Sequence, residues 1–171
     1  FAKNLKQYEV LYLDITLFLS TLKQDDMLVE RMEQEIINDL GKVYPEVGKE
    51  QHLVDALCAF HERTEEKMIL IIDEWDAMFR ECKGQTHILD AYILLLRSLF
   101  KSSLTDQLFS GVYMTGILPI KKYGHESAVS DFYEYTMVDP CPLQEYIGFT
   151  ETEVEMLCKK YQKDYALMQQ W

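Results

Sequence analysis

The chain has 171 residues, 48% hydrophobic and 27% charged, which is enough for one domain with a sizeable core and too apolar for a disordered segment. Lys and Arg number 17 against 29 Asp and Glu, a net charge of −12, so the average surface repels nucleic acid and anionic lipid. No apolar run reaches the roughly 18 residues of a membrane span, and the longest candidate, VLYLDITLFL, is interrupted by Asp14.

Direct nucleic-acid binding and a membrane partner are therefore not expected. No secretory leader is visible. Cys58, Cys82, Cys141 and Cys158 are widely spaced, with no CxxC pair, which argues against structural zinc. A reducing cytosol is the expected compartment.

In chain order, EVLYLDITLFL (9–19) is rich in β-branched and aromatic residues and reads as a buried strand. Leu28, Met32, Ile36 and Leu40 form a helical stripe over 25–40, with Gly41 as the stop. GKVYPEVGKE reads as punctuation. A second helix spans about 51–64, with Leu53, Val54, Leu57, Cys58 and Phe60 apolar. The run 67–73 is the next strand and 82–86 a loop. The segment 87–103 is a helix apolar almost all round, so it packs on more than one side.

LFSGVYMTG (108–116) reads as a strand ending at Thr115-Gly116, and DFYEYTMV (131–138) as a further strand. The last helix opens on Thr150 and Glu153 at capping-box spacing, with Val154, Leu157, Tyr161, Tyr165 and Met168 as its inward stripe. Strands alternating with helices imply a mainly parallel sheet in a three-layer α/β architecture. In such sheets ligands bind at the carboxyl ends of the strands, which puts Asp14, Asp73-Glu74 and Thr115 near one rim.

The pattern that carries chemistry is MILIIDEWDAMF, Met68 to Phe79, where the most apolar strand runs into Asp73, Glu74 and Asp76. A carboxylate at the end of a buried strand is costly unless paired. One reading is that Asp73 caps the next segment or pairs with a cation. The other is the acidic, Walker B-type element of a nucleotide hydrolase. There the strand-end Asp holds Mg²⁺ through its water shell, and the next acid orients or deprotonates the attacking water. Thr115 suits a neighbouring-strand hydroxyl that contacts this water or the γ-phosphate, or it is simply a strand-ending Thr before a turn glycine. A metal-dependent nuclease site built on Asp73, Glu74 and Asp76 is a third reading, with Lys83 the nearest downstream lysine.

MILIIDEWDAMF, YILLLRSLFKSSL, GVYMTGILPIKKYG and EYIGFTETEV, in that order, resemble the predicted AAA-ATPase-like proteins of bacteria. TGILPIKKYG and GFTETEVEMLCKKY are the most specific of these strings. Members of that family resemble P-loop ATPases of the AAA class and often carry a restriction-nuclease-like domain further along. The resemblance implies a P-loop NTPase-like core over 1–140 and a linker and helix, 141–171, packed on or leading out of it. It assigns Asp73 as the Mg²⁺-associated acid, Glu74 as the water-activating acid and Thr115 as a sensor-like residue. Asp76 matches the family's acid after the aromatic, or caps the next segment. Lys121 and Lys122 follow the sensor strand, either near a phosphate or in a solvated turn.

The family's phosphate-binding loop, G-x-x-x-x-G-K-[ST], has no match among the seven glycines, so this chain holds no cradle of backbone N–H groups for phosphates. The resemblance puts that loop upstream of Phe1. The expectation is a truncated core, inactive alone, from a parent that uses ATP and Mg²⁺. Without its loop-bearing strand the sensor strand becomes a sheet edge, so self-association through 109–115 or 132–138 is expected. The alternative function is a non-catalytic protein-interaction module on the same fold.

Overall fold

The computed structural model describes residues 7–22, 26–101, 103–118, 132–136, 138–139, 142–143 and 146–170. The first strand, β1 (Glu9–Asp14), stops where the sequence pattern continues, and helix α1 (Ile15–Leu22) follows without a gap. The expected strand over 9–19 is therefore a strand and a helix. Asp14 makes the change of course: its Oδ1 accepts the Thr16 hydroxyl at 2.6 Å and the Leu17 N–H at 3.0 Å. A helix start needs such acceptors for its first N–H groups. Ile15 and Leu19, four residues apart, are then both buried.

Helix α2 (Leu28–Val43) buries Leu28, Val29, Met32, Ile36 and Ile37. It runs through Gly41, which is not the stop the sequence implied. A Cβ on Gly41 would lie 2.7 Å from the Cα of Gly48, and one on Gly48 would lie 2.8 Å from the Cα of Gly41. The two glycines let a 3₁₀ turn, Val47–Lys49, press against the helix backbone. Helix α3 (Leu53–Thr64) ends on Glu65 in the left-handed conformation, φ 56°. Strand β2 (Met68–Asp73), the short α4 (Ala77–Glu81), α5 (Thr86–Phe100), the short α6 (Thr105–Leu108) and β3 (Phe109–Met114) complete the first unit.

The sheet is parallel, in the order β1-β2-β3, with Asp14 opposite Asp73 in register. A bulge between Met68 and Ile69 gives β3 one extra residue, so that Phe109, Val112 and Met114 all face the core despite their uneven spacing. Leu13, Met68, Leu70 and Ile72 face the same way and pool with the buried residues of the helices. The opposite face carries Val10, Tyr12, Ile69, Ile71 and Tyr113, none of which joins that core. Val10, Tyr12 and Tyr113 remain about half exposed, at 53%, 54% and 49%. Strands laid down in sequence order by right-handed crossovers put every connecting helix on one side of the sheet. The helices that connect the three strands share their core with Leu13, Leu70 and Ile72 on one face.

The chain divides into two compact units, Phe1–Phe132 and Tyr133–Trp171. Residues 132–136, expected as part of a strand, have no strand pairing. In the second unit the capping box is present: Thr150 accepts from the Glu153 N–H, and the Glu153 carboxylate accepts from the Thr150 N–H at 2.8 Å. Helix α7 (Glu151–Tyr161) ends on Gln162, φ 52°, before a single turn α8 (Tyr165–Met168). That break interrupts the expected stripe: Leu157, Tyr161 and Met168 are exposed, and Cys158 is the buried residue of α7. No helix among the described residues is long and apolar enough to cross a membrane.

Candidate active site at the strand ends

Side-chain alternation puts Asp14, Asp73 and Thr115 on the sheet face opposite the core, at the carboxyl ends of three adjacent strands. The β2–β3 ladder continues one step past β3. The Thr115 N–H donates to the Ile72 carbonyl at 2.9 Å, and the Trp75 N–H donates to the Thr115 carbonyl at 2.9 Å. Thr115 is thereby fixed beside the acids. Its hydroxyl donates to Asp73 Oδ1 and accepts the Glu74 N–H at 3.2 Å.

The other Asp73 oxygen, Oδ2, accepts the Tyr12 hydroxyl at 2.7 Å. The Thr115 bond, followed by the Tyr12 bond, holds the Asp73 carboxyl below the usual carboxylate range. The same pairing pushes the Tyr12 phenol up, so it stays a proton donor at neutral pH. Asp73 is an ionised acid with one hydroxyl donor on each oxygen. Asp14 lies in register beside it but spends Oδ1 on the start of α1.

Glu74 sits in the left-handed region at φ 54°, a conformation that costs a non-glycine residue about 1–2 kcal/mol. The Glu74 N–H bond to Thr115, and the Ala77 N–H bond to the Glu74 carbonyl at 2.8 Å, hold it there. Its carboxylate is ion-paired with the Arg80 guanidinium. Arg80 also donates through Nε to Asp76 Oδ2 at 3.0 Å.

Asp76 is fully buried. It occupies the N-cap position of α4 but makes no capping bond there, so the capping role offered by the sequence does not hold. Its carboxylate instead accepts the N–H groups of Ile117 and Leu118, each at 3.2 Å. Asp76 thus ties the segment after β3 to the segment after β2. Gly116 makes this possible, since a Cβ there would meet Asp76 Oδ1 at 2.6 Å and the Trp75 ring at 2.7 Å. Trp75 packs edge-on against Phe79, and Tyr92 donates to the Trp75 carbonyl at 2.9 Å.

Sequence reasoning missed Tyr12 and Arg80. Tyr12 shares a strand face with Asp14, and Arg80 lies four residues after Asp76 on a helix, so both periodicities were available. Lys121 and Lys122 lie outside the described residues. Lys83 is exposed beyond α4 and makes no described contact with the acids. A cavity of about 380 Å³ lies away from the acids, lined by residues of α2, α3 and α5 that include Glu33, Val54 and Leu95.

Among the described residues no cluster of three His, Cys, Asp or Glu side chains is placed to ligate a metal. A single ionised carboxylate suits Mg²⁺ that keeps most of its water and takes other ligands from substrate phosphates. No curated protein matches this chain, and no solved structure does. The family model described as predicted AAA-ATPase matches residues 2–125. With nearly three quarters of its length covered by that match, and the acids inside it, the chain belongs to the AAA-ATPase-like family.

Proposed function

We propose that this chain carries the acidic and sensor side of a Mg²⁺-dependent ATP-hydrolysing site. Asp73 would hold the water shell of Mg²⁺, which supplies charge neutralisation on the phosphates when bound. Glu74 would orient or deprotonate the attacking water, and Thr115 would report on the γ-phosphate to both acids. The observation that carries this reading is the Thr115 hydroxyl, bonded to the Asp73 carboxylate and to the Glu74 backbone at once. A strand-ending threonine with no role at the acids would have no reason to bridge them. The lysine and backbone cradle for the phosphates lie outside these 171 residues in this reading, and the isolated chain is inactive.

The finer architecture belongs to the same proposal: a three-layer P-loop-like core. Parallel sheets are almost always covered on both faces, and among the described residues Val10, Tyr12 and Tyr113 on the second face are about half exposed. A βα unit adding its strand at the β3 edge and returning right-handed to β1 would lay its helix on that face. A phosphate-binding loop at the end of such a strand would open beside Thr115 and Asp73.

A non-catalytic interaction module is favoured by one observation, the ion pair that engages Glu74 with Arg80. The two readings part in a direct test on the full-length gene product, measuring Mg²⁺-dependent ATP binding and hydrolysis alongside Glu74→Gln. Hydrolysis by the wild type, with binding but no turnover by Glu74→Gln, supports the ATPase. Absence of both binding and hydrolysis in the wild type overturns it in favour of the module.

A further inference from the structure

We propose that Tyr12 is a positioning residue for the Mg²⁺-associated carboxylate, an inference that rests on the reading of Asp73 above. Tyr12 reaches Asp73 from β1 on one side while Thr115 reaches it from β3 on the other. A carboxylate has about four acceptor sites. Two hydroxyl donors, one per oxygen, stop the group from rotating and leave the remaining sites for the waters of a hydrated cation. The donors come from the two strands flanking β2, so the orientation is set by the sheet itself. A phenol hydroxyl is suited to this task, because it donates a hydrogen bond without bringing a charged side chain to the carboxylate.

A merely structural role accounts poorly for the bond. Tyr12 is half exposed on the sheet face opposite the core, where a hydrogen bond between side chains competes with water and adds little to folding. The residues beside it on that face, Val10 on the same strand and Ile71 in register on β2, are apolar and ask for no hydroxyl. What the hydroxyl does contribute is a fixed direction for Oδ2. Outer-shell partners of metal-associated groups matter in this way, and removing one commonly weakens metal affinity by about 10–100-fold.

The test uses the full-length gene product, with Mn²⁺ as the spectroscopic stand-in for Mg²⁺ and ATP as the phosphate donor. Mn²⁺ binding is followed by electron paramagnetic resonance for the wild type, Tyr12→Phe, Asp73→Asn and the double variant. ATP binding in excess chelator and the thermal midpoint are measured for each. The expected result is Mn²⁺·ATP affinity about tenfold weaker in Tyr12→Phe, at the lower end of the outer-shell range. Metal-free ATP binding and the thermal midpoint should stay unchanged. In the Asp73→Asn background the Tyr12→Phe change should add nothing, because the two act through one carboxylate. If Asp73→Asn weakens Mn²⁺ binding while Tyr12→Phe matches the wild type, the Tyr12 inference fails and the Asp73 reading stands. If Asp73→Asn itself binds Mn²⁺ like the wild type, the Asp73 reading falls and takes the inference with it. An undiminished Tyr12→Phe effect in the double variant also overturns the inference.

Discussion

Asp76→Asn isolates the charge at the one fully buried acid among the described residues. The side chain keeps its shape, but an amide has one acceptor atom where the carboxylate has two. Asp76 Oδ2 accepts from Arg80 Nε and the Leu118 N–H, and Oδ1 accepts from the Ile117 N–H. The amide oxygen will therefore settle at the Oδ2 position, and its NH₂ will face the Ile117 N–H, donor against donor. An orphaned buried donor costs about 1–3 kcal/mol. Weakening the Arg80 pair adds up to about 1 kcal/mol, since Arg80 is partly solvated. The sum expected is about 1–4 kcal/mol. For a chain of this size that lowers the thermal midpoint by roughly 2–16 °C. Urea unfolding gives the free energy, and amide hydrogen exchange locates it: the Ile117 N–H should lose protection more than the Leu118 N–H. A change below about 0.5 kcal/mol, the usual range for a surface substitution, with both amides still protected would refute the role assigned to Asp76.

Gly41→Ala should destabilise despite a helix-propensity gain of about 1 kcal/mol, because its Cβ meets backbone at 2.7 Å and overpacking costs about 1–3 kcal/mol. Gly111→Ala, with nothing within 4 Å of the new Cβ, is the control and should leave the urea midpoint near the wild type. Burial raises the pKa of Glu33 even though the Leu53 N–H bond opposes the shift. A raised folded pKa gives stability that is complete below the unfolded value and is lost as pH rises through the folded one. Glu33→Gln should therefore gain on the wild type between pH 4 and pH 7, and a flat difference across that window in urea titrations would contradict this. The β3 edge should pair with another chain, so sedimentation of the 171-residue chain at tens of micromolar should show a dimer, and a monomer alone would rule that pairing out.

The elements most legible in the sequence were those with one unambiguous period. The stripes of α2 and α3 and the apolar run of β2 set their faces and nearly their limits. The boundary between β1 and α1 was not legible from the run of apolar residues, since Ile15, Phe18 and Leu19 fit a buried strand as well as a helix. The signal lay in Asp14 followed by Thr16, a polar pair able to accept and donate at a helix start. Gly41 was misread because a glycine after a helical stripe is more often a stop than a contact. Its partner, Gly48, is identifiable only once the chain has folded back. The acids themselves were plain at the end of β2, but what holds them was not. Tyr12 is 61 residues away from Asp73, and Thr115 is 42, so only register brings them together.

The engagement of Glu74 with Arg80 weighs less against hydrolysis than it first does. Arg80 serves two acids of unequal freedom. Asp76 is buried and tethered by the Ile117 and Leu118 amides as well, so it meets the guanidinium from a fixed position. The Glu74 side chain is 35% exposed against 0% for Asp76, and ion pairs open to solvent are worth about 0–1 kcal/mol. General-base assistance contributes about 10²–10⁴ in rate, or roughly 3–5 kcal/mol. Releasing Glu74 from Arg80 therefore subtracts little from what the acid could supply. The backbone points the same way. The left-handed geometry at Glu74 costs more than its ion pair returns, yet Thr115 and Ala77 hold it in place. Strain that persists beside convergent polar groups is a mark of functional sites. A segment selected only to present an acidic surface would have no use for it, because an acid in ordinary helical geometry displays the same charge without the strain.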